Sequence, residues 1–162
     1  MLKVRRCQAW HVADDLLRLT SEVSDRDAME QITGTFTDQD GVLVECVVYA
    51  KNTSPGDGTK TLALVDTGAD ISAVDQDLIV ALGIHSHSAS TLNTASGHEQ
   101  LPLYICALEI PGLPSVSTKH IEVAGWPPES NKQHRAIIGR DILSKAKFIY
   151  DSGNGTWTLM AA

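Results

Sequence analysis

The stretch Leu62-Ala63-Leu64-Val65-Asp66-Thr67-Gly68-Ala69-Asp70-Ile71-Ser72 constrains the fold of this chain more than any other. Its apolar first half reads as a buried strand. The strand ends abruptly in Asp-Thr-Gly, which sets a carboxylate, a hydroxyl and a residue without a side chain at its exit. The plainest account is a strand followed by an Asx-type turn, with Asp66 bonding only local backbone. Asp-Thr-Gly occurs once in the 162 residues.

A second signal lies near the C-terminus. Ala136-Ile137-Ile138-Gly139-Arg140-Asp141-Ile142-Leu143 is a short apolar strand running into Gly-Arg-Asp and a brief helix. Around these two segments, short strand-like runs alternate with turn residues. Ile32, Gly34 and Phe36 alternate with threonines; 42–50 is a long strand; 61–65 delivers Asp66. Residues 73–82 read as a strand then a short helix stopped by Gly83. Runs at 92–94 and 101–105 flank Ala95-Ser96-Gly97-His98 as a hairpin, and 107–110 and 120–124 are two further strands. Residues 84–90 are polar, and 141–146 form a short helix. Runs at 147–150 and 156–159 close the chain as a hairpin around Asp151-Ser152-Gly153-Asn154-Gly155. Near the start, 9–22 is an amphipathic helix with Trp10, Ala13, Leu16 and Leu17 on one face. Many short strands and few helices indicate an all-β, closed domain.

Composition narrows the partners. A net charge of −7 and a pI near 5.2 argue against nucleic acid or a membrane surface. No apolar run is long enough to span a bilayer, and Asp14, Asp15 and Arg18 interrupt any signal-peptide core, so the expected location is the cytoplasm. Cys7, Cys46 and Cys106 are widely spaced, giving neither a disulfide framework nor a zinc motif; Cys46 and Cys106 read as buried thiols. His85-x-His87 has no partner cluster, so no metal and no cofactor is expected.

From residue 41 to 159 the chain resembles the retropepsin-like (retroviral-type) aspartic proteases, on the strength of Asp66-Thr67-Gly68-Ala69-Asp70-x-Ser72 and Ile137-Ile138-Gly139-Arg140-Asp141. The resemblance implies a single-lobe acid-protease barrel with one or two short helices, here with an added N-terminal helix. It implies an aspartic endopeptidase with a peptide or protein substrate. Asp66 is its catalytic carboxylate, and Thr67 and Gly68 complete the turn. Peptide hydrolysis of this type needs two carboxylates, so one Asp-Thr-Gly supplies half a site and the expected partner is a second copy of the chain. Length and the single Asp-Thr-Gly exclude a two-lobed chain. A catalytically silent domain that dimerises and binds peptides is the alternative.

The same resemblance assigns supporting roles. Gly68 allows a sharp turn and a close approach of its N–H to the carboxylate. Thr67 turns inward and bonds across the dimer axis. Ala69, Asp70 and Arg140 support the substrate backbone, with Asp70 and Arg140 as a buried ion pair. Ser72 and Asp141 hydrogen-bond, although retroviral enzymes usually carry Asn at the Asp141 position, and Gly139 belongs to the packing behind the turn. The flap is expected over 91–103 with its tip at Ala95, Ser96, Gly97 and His98, which holds fewer glycines than retroviral flaps. Val65, Ala73, Val74, Leu92 and Ile138 are candidates for lining substrate pockets. The strand 156–159 is the candidate for an interchain sheet. Residues 1–30 are a helical extension or pro-segment, and 31–162 the protease domain.

Overall fold

In strand β2 (Leu43–Tyr49) the residues Val44, Cys46 and Val48 alternate along the chain, and all are buried. That period of two commits one face to a core. A computed structural model of the protein describes residues 29–36, 41–94, 97–127 and 132–162. The helix expected over 9–22 lies outside them.

Strand β1 (Gln31–Thr35) comes first, followed by β2 and then a 3-10 turn at Pro55–Asp57. Strand β3 (Thr59–Val65) leads into the Asp66 turn, then β4 (Ala73–Asp75) and helix α1 (Gln76–Ala81). Next come β5 (Ser88–Thr94), β6 (Gly97–Glu109), β7 (Thr118–Trp126) and β8 (Ala136–Ile138). Helix α2 (Arg140–Leu143), β9 (Ala146–Asp151) and β10 (Thr156–Ala161) complete the chain.

The larger sheet runs β2-β3-β8-β4-β7-β6-β5, and β2 also pairs with β6. That extra pairing closes six strands into a barrel and leaves β5 as the outer arm of a hairpin. Inside lie Val44, Val48, Val74, Ile79, Leu108, Val123, Ile138 and Ile142, each at most 2% exposed. Strands β3 and β8 run parallel, with Val65 opposite Ile138, so both end at one rim of the barrel. The first ends in Asp66 and the second in Gly139.

Two expectations change. The runs at 101–105 and 107–110 belong to one strand, the 13-residue β6, which pairs first with β5 and then with β2, while its ladder with β7 carries a register shift between Cys106 and Leu108. Residues 88–90, read from sequence only as polar, begin β5.

A second sheet, β1-β10-β9, covers one side of the barrel. Its inner face carries Ile32, Trp157, Leu159 and Phe148, which pack on the core. The Trp157 ring occupies the space above Gly34, and its indole N–H donates to the Thr35 carbonyl at 3.3 Å. Strand β10 is flanked by β1 on one edge and β9 on the other. The strand 156–159 therefore has no edge free for an interchain sheet; among the described residues the edges of this sheet are β1 and β9.

Candidate active site

The Asp66 turn is held from three sides. The Asp66 N–H donates to the Ile138 carbonyl at 3.0 Å, which continues the β3–β8 ladder one residue into the turn. The Gly68 N–H donates to Asp66 Oδ1 at 2.8 Å. The Arg140 N–H donates to the Ala69 carbonyl at 2.9 Å, so α2 begins against the turn. Gly68 does not adopt a positive φ. Glycine there leaves the carboxylate undisturbed: a Cβ would stand 3.2 Å from Asp66 Oδ1 and push that oxygen by a few tenths of an ångström. The turn's need for glycine is thus close approach to the carboxylate and not backbone freedom.

Beneath the turn, Ser72 is fully buried. Its N–H donates to Asp141 Oδ2 at 2.9 Å and its hydroxyl to Asp141 Oδ1 at 2.7 Å. The same hydroxyl accepts the Gly139 N–H at 3.0 Å. Asp141 Oδ1 also accepts the Ile142 N–H at 2.9 Å. One buried serine thus joins the two loops, with donors and acceptors matched. A Cβ on Gly139 would lie 2.7 Å from the carbonyl carbon of Ile71 and 3.0 Å from the Ser72 nitrogen. Only glycine lets the loops touch backbone to backbone.

Asp70 and Arg140 form an ion pair through Asp70 Oδ1 and an Arg140 guanidinium nitrogen. Their side chains are 81% and 59% exposed, so within one chain the pair is not buried. Asp70 stands at the lip of the cleft, where none of the described residues buries it. Thr67 is also exposed, and its hydroxyl makes no hydrogen bond among the described residues.

Asp66, Gly68, Ala69 and Asp70 line one wall of a cleft of about 870 Å³. The β5–β6 hairpin faces them, contributing Thr91, Leu92, Asn93, Glu99 and Leu101. Trp126, Pro127, Lys132 and His134 form a third side. Apolar wall residues Ile71, Ala73, Leu92, Leu101 and Ala124 cluster apart from the barrel core. Of the pocket candidates read from sequence, Ala73 and Leu92 line the cleft, whereas Val74 and Ile138 are fully buried core. Val65 packs on that core and does not line the cleft. The hairpin tip at Ala95 and Ser96 lies outside the described residues, and Gly97 and His98 beside it are exposed. Lys132 and His134 carry no local sequence signal; the topology alone brings them to the cleft.

The sequence contains Asp-Ser-Gly, the variant spelling of the motif, at Asp151-Ser152-Gly153. Counting motifs therefore does not by itself give one site. The structure separates the two: Asp151 accepts N–H donors from Gly153 and Asn154 in the β9–β10 turn, and it does not line the cleft. The Asn154 side chain and backbone hold the Asp151 carboxyl below its ordinary range.

Among the described residues no three His, Cys, Asp or Glu side chains group as metal ligands. His87 lies 3.0 Å from Glu122 instead. Cys46 and Cys106 are buried free thiols, both pushed up to about 12, by burial first and for Cys46 also by Cys106. No helix among the described residues is long and apolar enough to cross a membrane.

A closed barrel of this order, with Asp-Thr-Gly at its rim and a hairpin across the cleft, is the single-lobe fold of retropepsin-like aspartic proteases. Residues 56–145 match the family described as "gag-polyprotein putative aspartyl protease". The match spans more than half of the chain, which belongs to this family. A retropepsin-like aspartic protease from Rickettsia conorii shares the fold, with a TM-score of 0.57 at 18% identity over 82% of this chain and 92% of that one. The EIAV protease in complex with an inhibitor aligns over 68% of this chain and 92% of its own, at 19% identity and TM-score 0.46. An aspartic proteinase from Irpex lacteus aligns over 82% of this chain and 47% of its own, at 16% identity and TM-score 0.49. These last two likenesses add nothing to the assignment. No curated protein matches the chain.

Proposed function

We propose that this protein is an aspartic endopeptidase that works as a homodimer. The observation that carries the reading is the single Asp66 turn, pinned at the barrel rim and opening onto a cleft faced by the β5–β6 hairpin. One such turn supplies one carboxylate. Two chains related by a twofold bring two Asp66 side chains together.

Two carboxylates a few ångströms apart do not both ionise readily, so the pair holds one proton and titrates as a unit. The ionised Asp66 takes a proton from a water molecule. The protonated Asp66 donates to the oxygen of the scissile carbonyl as that water attacks its carbon. The Gly68 N–H fixes the carboxylate orientation. The exposed Thr67, Asp70 and Arg140 then face the second chain and the peptide backbone. The apolar wall favours apolar side chains beside the cleaved bond. Residues 31–162 constitute the protease domain, and 1–30 an extension or pro-segment.

The test is peptide-library cleavage by wild type and Asp66→Asn between pH 4 and 7 at two protein concentrations. Cleavage by wild type alone, rising more steeply than linearly with concentration over a bell-shaped pH profile, is the expected result. Equal cleavage by both proteins overturns the reading. A dimer that cleaves nothing would favour a silent, peptide-binding domain.

A further inference from the structure

The β9–β10 turn, Asp151-Ser152-Gly153-Asn154-Gly155, lies away from the cleft and carries a chemistry that the site does not use. It contains Asn154-Gly155, the one Asn-Gly in the sequence. The side-chain amide carbon of an asparagine, Cγ, is electrophilic. The backbone nitrogen of the next residue can attack it and close a five-membered ring. A side chain on that next residue crowds the attack, and glycine removes the crowding. The other asparagines stand before larger residues, as Asn52-Thr53, Asn93-Thr94 and Asn131-Lys132.

The turn leaves both reacting groups accessible. Asn154 is exposed, and Gly155 has a φ of +64°, in the left-handed region that favours glycine. A Cβ built on Gly155 would meet nothing within 4 Å beyond its chain neighbours, so a ring has room to form there. The Gly155 N–H donates to no group among the described residues, so that nitrogen gives up no bond in order to attack. By contrast, the Gly153 and Asn154 N–H groups are held by Asp151 Oδ1 at 3.0 and 3.1 Å. One bond opposes the reaction: Asn154 Nδ2 donates to Asp151 Oδ2 at 2.8 Å. Both partners lie at the surface, where water replaces such a bond at little net cost.

We propose that Asn154 is a site of spontaneous deamidation, with water as the only co-reactant. The Gly155 nitrogen gives its proton to hydroxide and bonds to Asn154 Cγ. The Cγ–Nδ2 bond breaks, and Nδ2 leaves as ammonia. Water then opens the cyclic imide at either carbonyl, and no oxidation or reduction is involved. One opening leaves aspartate at position 154. The other leaves isoaspartate, whose backbone is one methylene longer. Either product sets a carboxylate where an amide had donated to Asp151, so two like charges then share the turn. The longer backbone also disturbs β1, because the Phe36 N–H donates to the Gly155 carbonyl at 3.2 Å and the Phe36 ring stacks on Tyr150 at 4.2 Å. The inference stands apart from the protease reading and does not depend on it.

The test ages the folded full chain at pH 8 and at pH 6 and follows its mass. The expected result is a gain of one dalton, mapped by digestion to Asn154 and resolved into aspartate and isoaspartate. It should be faster at pH 8, where more of the Gly155 nitrogen is deprotonated. In heavy-oxygen water each product should carry one heavy oxygen. Asn154→Gln, which would need a six-membered ring, is expected to keep its mass over the same period. In the aged protein the Phe36 amide is expected to exchange faster with deuterium than in fresh protein. If Asn154 stays intact in the folded chain while a guanidinium-unfolded chain converts there, the fold protects the amide and the proposal is wrong. It is equally wrong if Asn52, Asn93 or Asn131 converts as fast as Asn154.

Discussion

Asp141 takes two hydrogen bonds from one residue, Ser72, and that residue takes one from Gly139. Each of these side chains is small because the loops approach within backbone contact. Gly139→Ala forces a Cβ into the Ile71 carbonyl, and is expected to lower unfolding free energy by about 1–3 kcal/mol in urea titration. Gly68→Ala should leave stability nearly intact but displace Asp66 Oδ1, so its loss appears in kcat and not in the urea midpoint. The two thiols give a further check. With Cys46 and Cys106 near 12, the native protein is expected to show no reaction at either with a thiol reagent at pH 8, and full reaction in denaturant. Residues of this kind were readable in advance wherever chemistry fixed their spacing: Asp66, Gly68, Ser72, Gly139 and Asp141 stand in two short motifs. Trp126, Lys132 and His134 were not, since they meet the cleft only through strand order.

Among the elements, the β4–α1 junction is the one governed by charge. Asp75 is buried, caps α1 through the Leu78 N–H at 3.1 Å, and accepts two bonds from Arg135 at 3.1 and 3.2 Å. Burial alone would raise its carboxyl, but the bonds from Arg135 and Leu78 outweigh it and hold the group below its ordinary 3.8. A lowered carboxyl stabilises the fold above the unfolded value and gives up that contribution as pH falls through the folded one. Arg135→Met is therefore expected to cost about 1–2 kcal/mol at pH 7, since Arg135 is partly exposed, and the difference from wild type should shrink below about pH 4. Chemical unfolding of both proteins across pH 3 to 7 checks it. Most elements followed from alternation and turn residues. Strand β6 did not, because Leu103, Tyr104, Cys106, Ala107 and Leu108 are all buried where it crosses between partners, and a period of two disappears when both faces are covered.

For the whole molecule, closure is the governing fact. The barrel became legible as a class from the count and spacing of short strands, while its strand order, β2-β3-β8-β4-β7-β6, depends on pairings between segments far apart in sequence. The parallel β3–β8 contact joins residues 63–65 to 136–138, and the Ser72–Asp141 bonds span 69 residues. Such long-range pairing makes folding slow and late. A chain truncated after residue 135 lacks β8, α2 and the second sheet, and is expected to show no cooperative unfolding by circular dichroism. The same wiring bears on synthesis. While a ribosome is still building the polypeptide, Asp66 emerges some seventy residues before the groups that hold its turn. On the proposed reading, the nascent chain has no formed cutting site until residues 138–141 have emerged to hold the Asp66 turn.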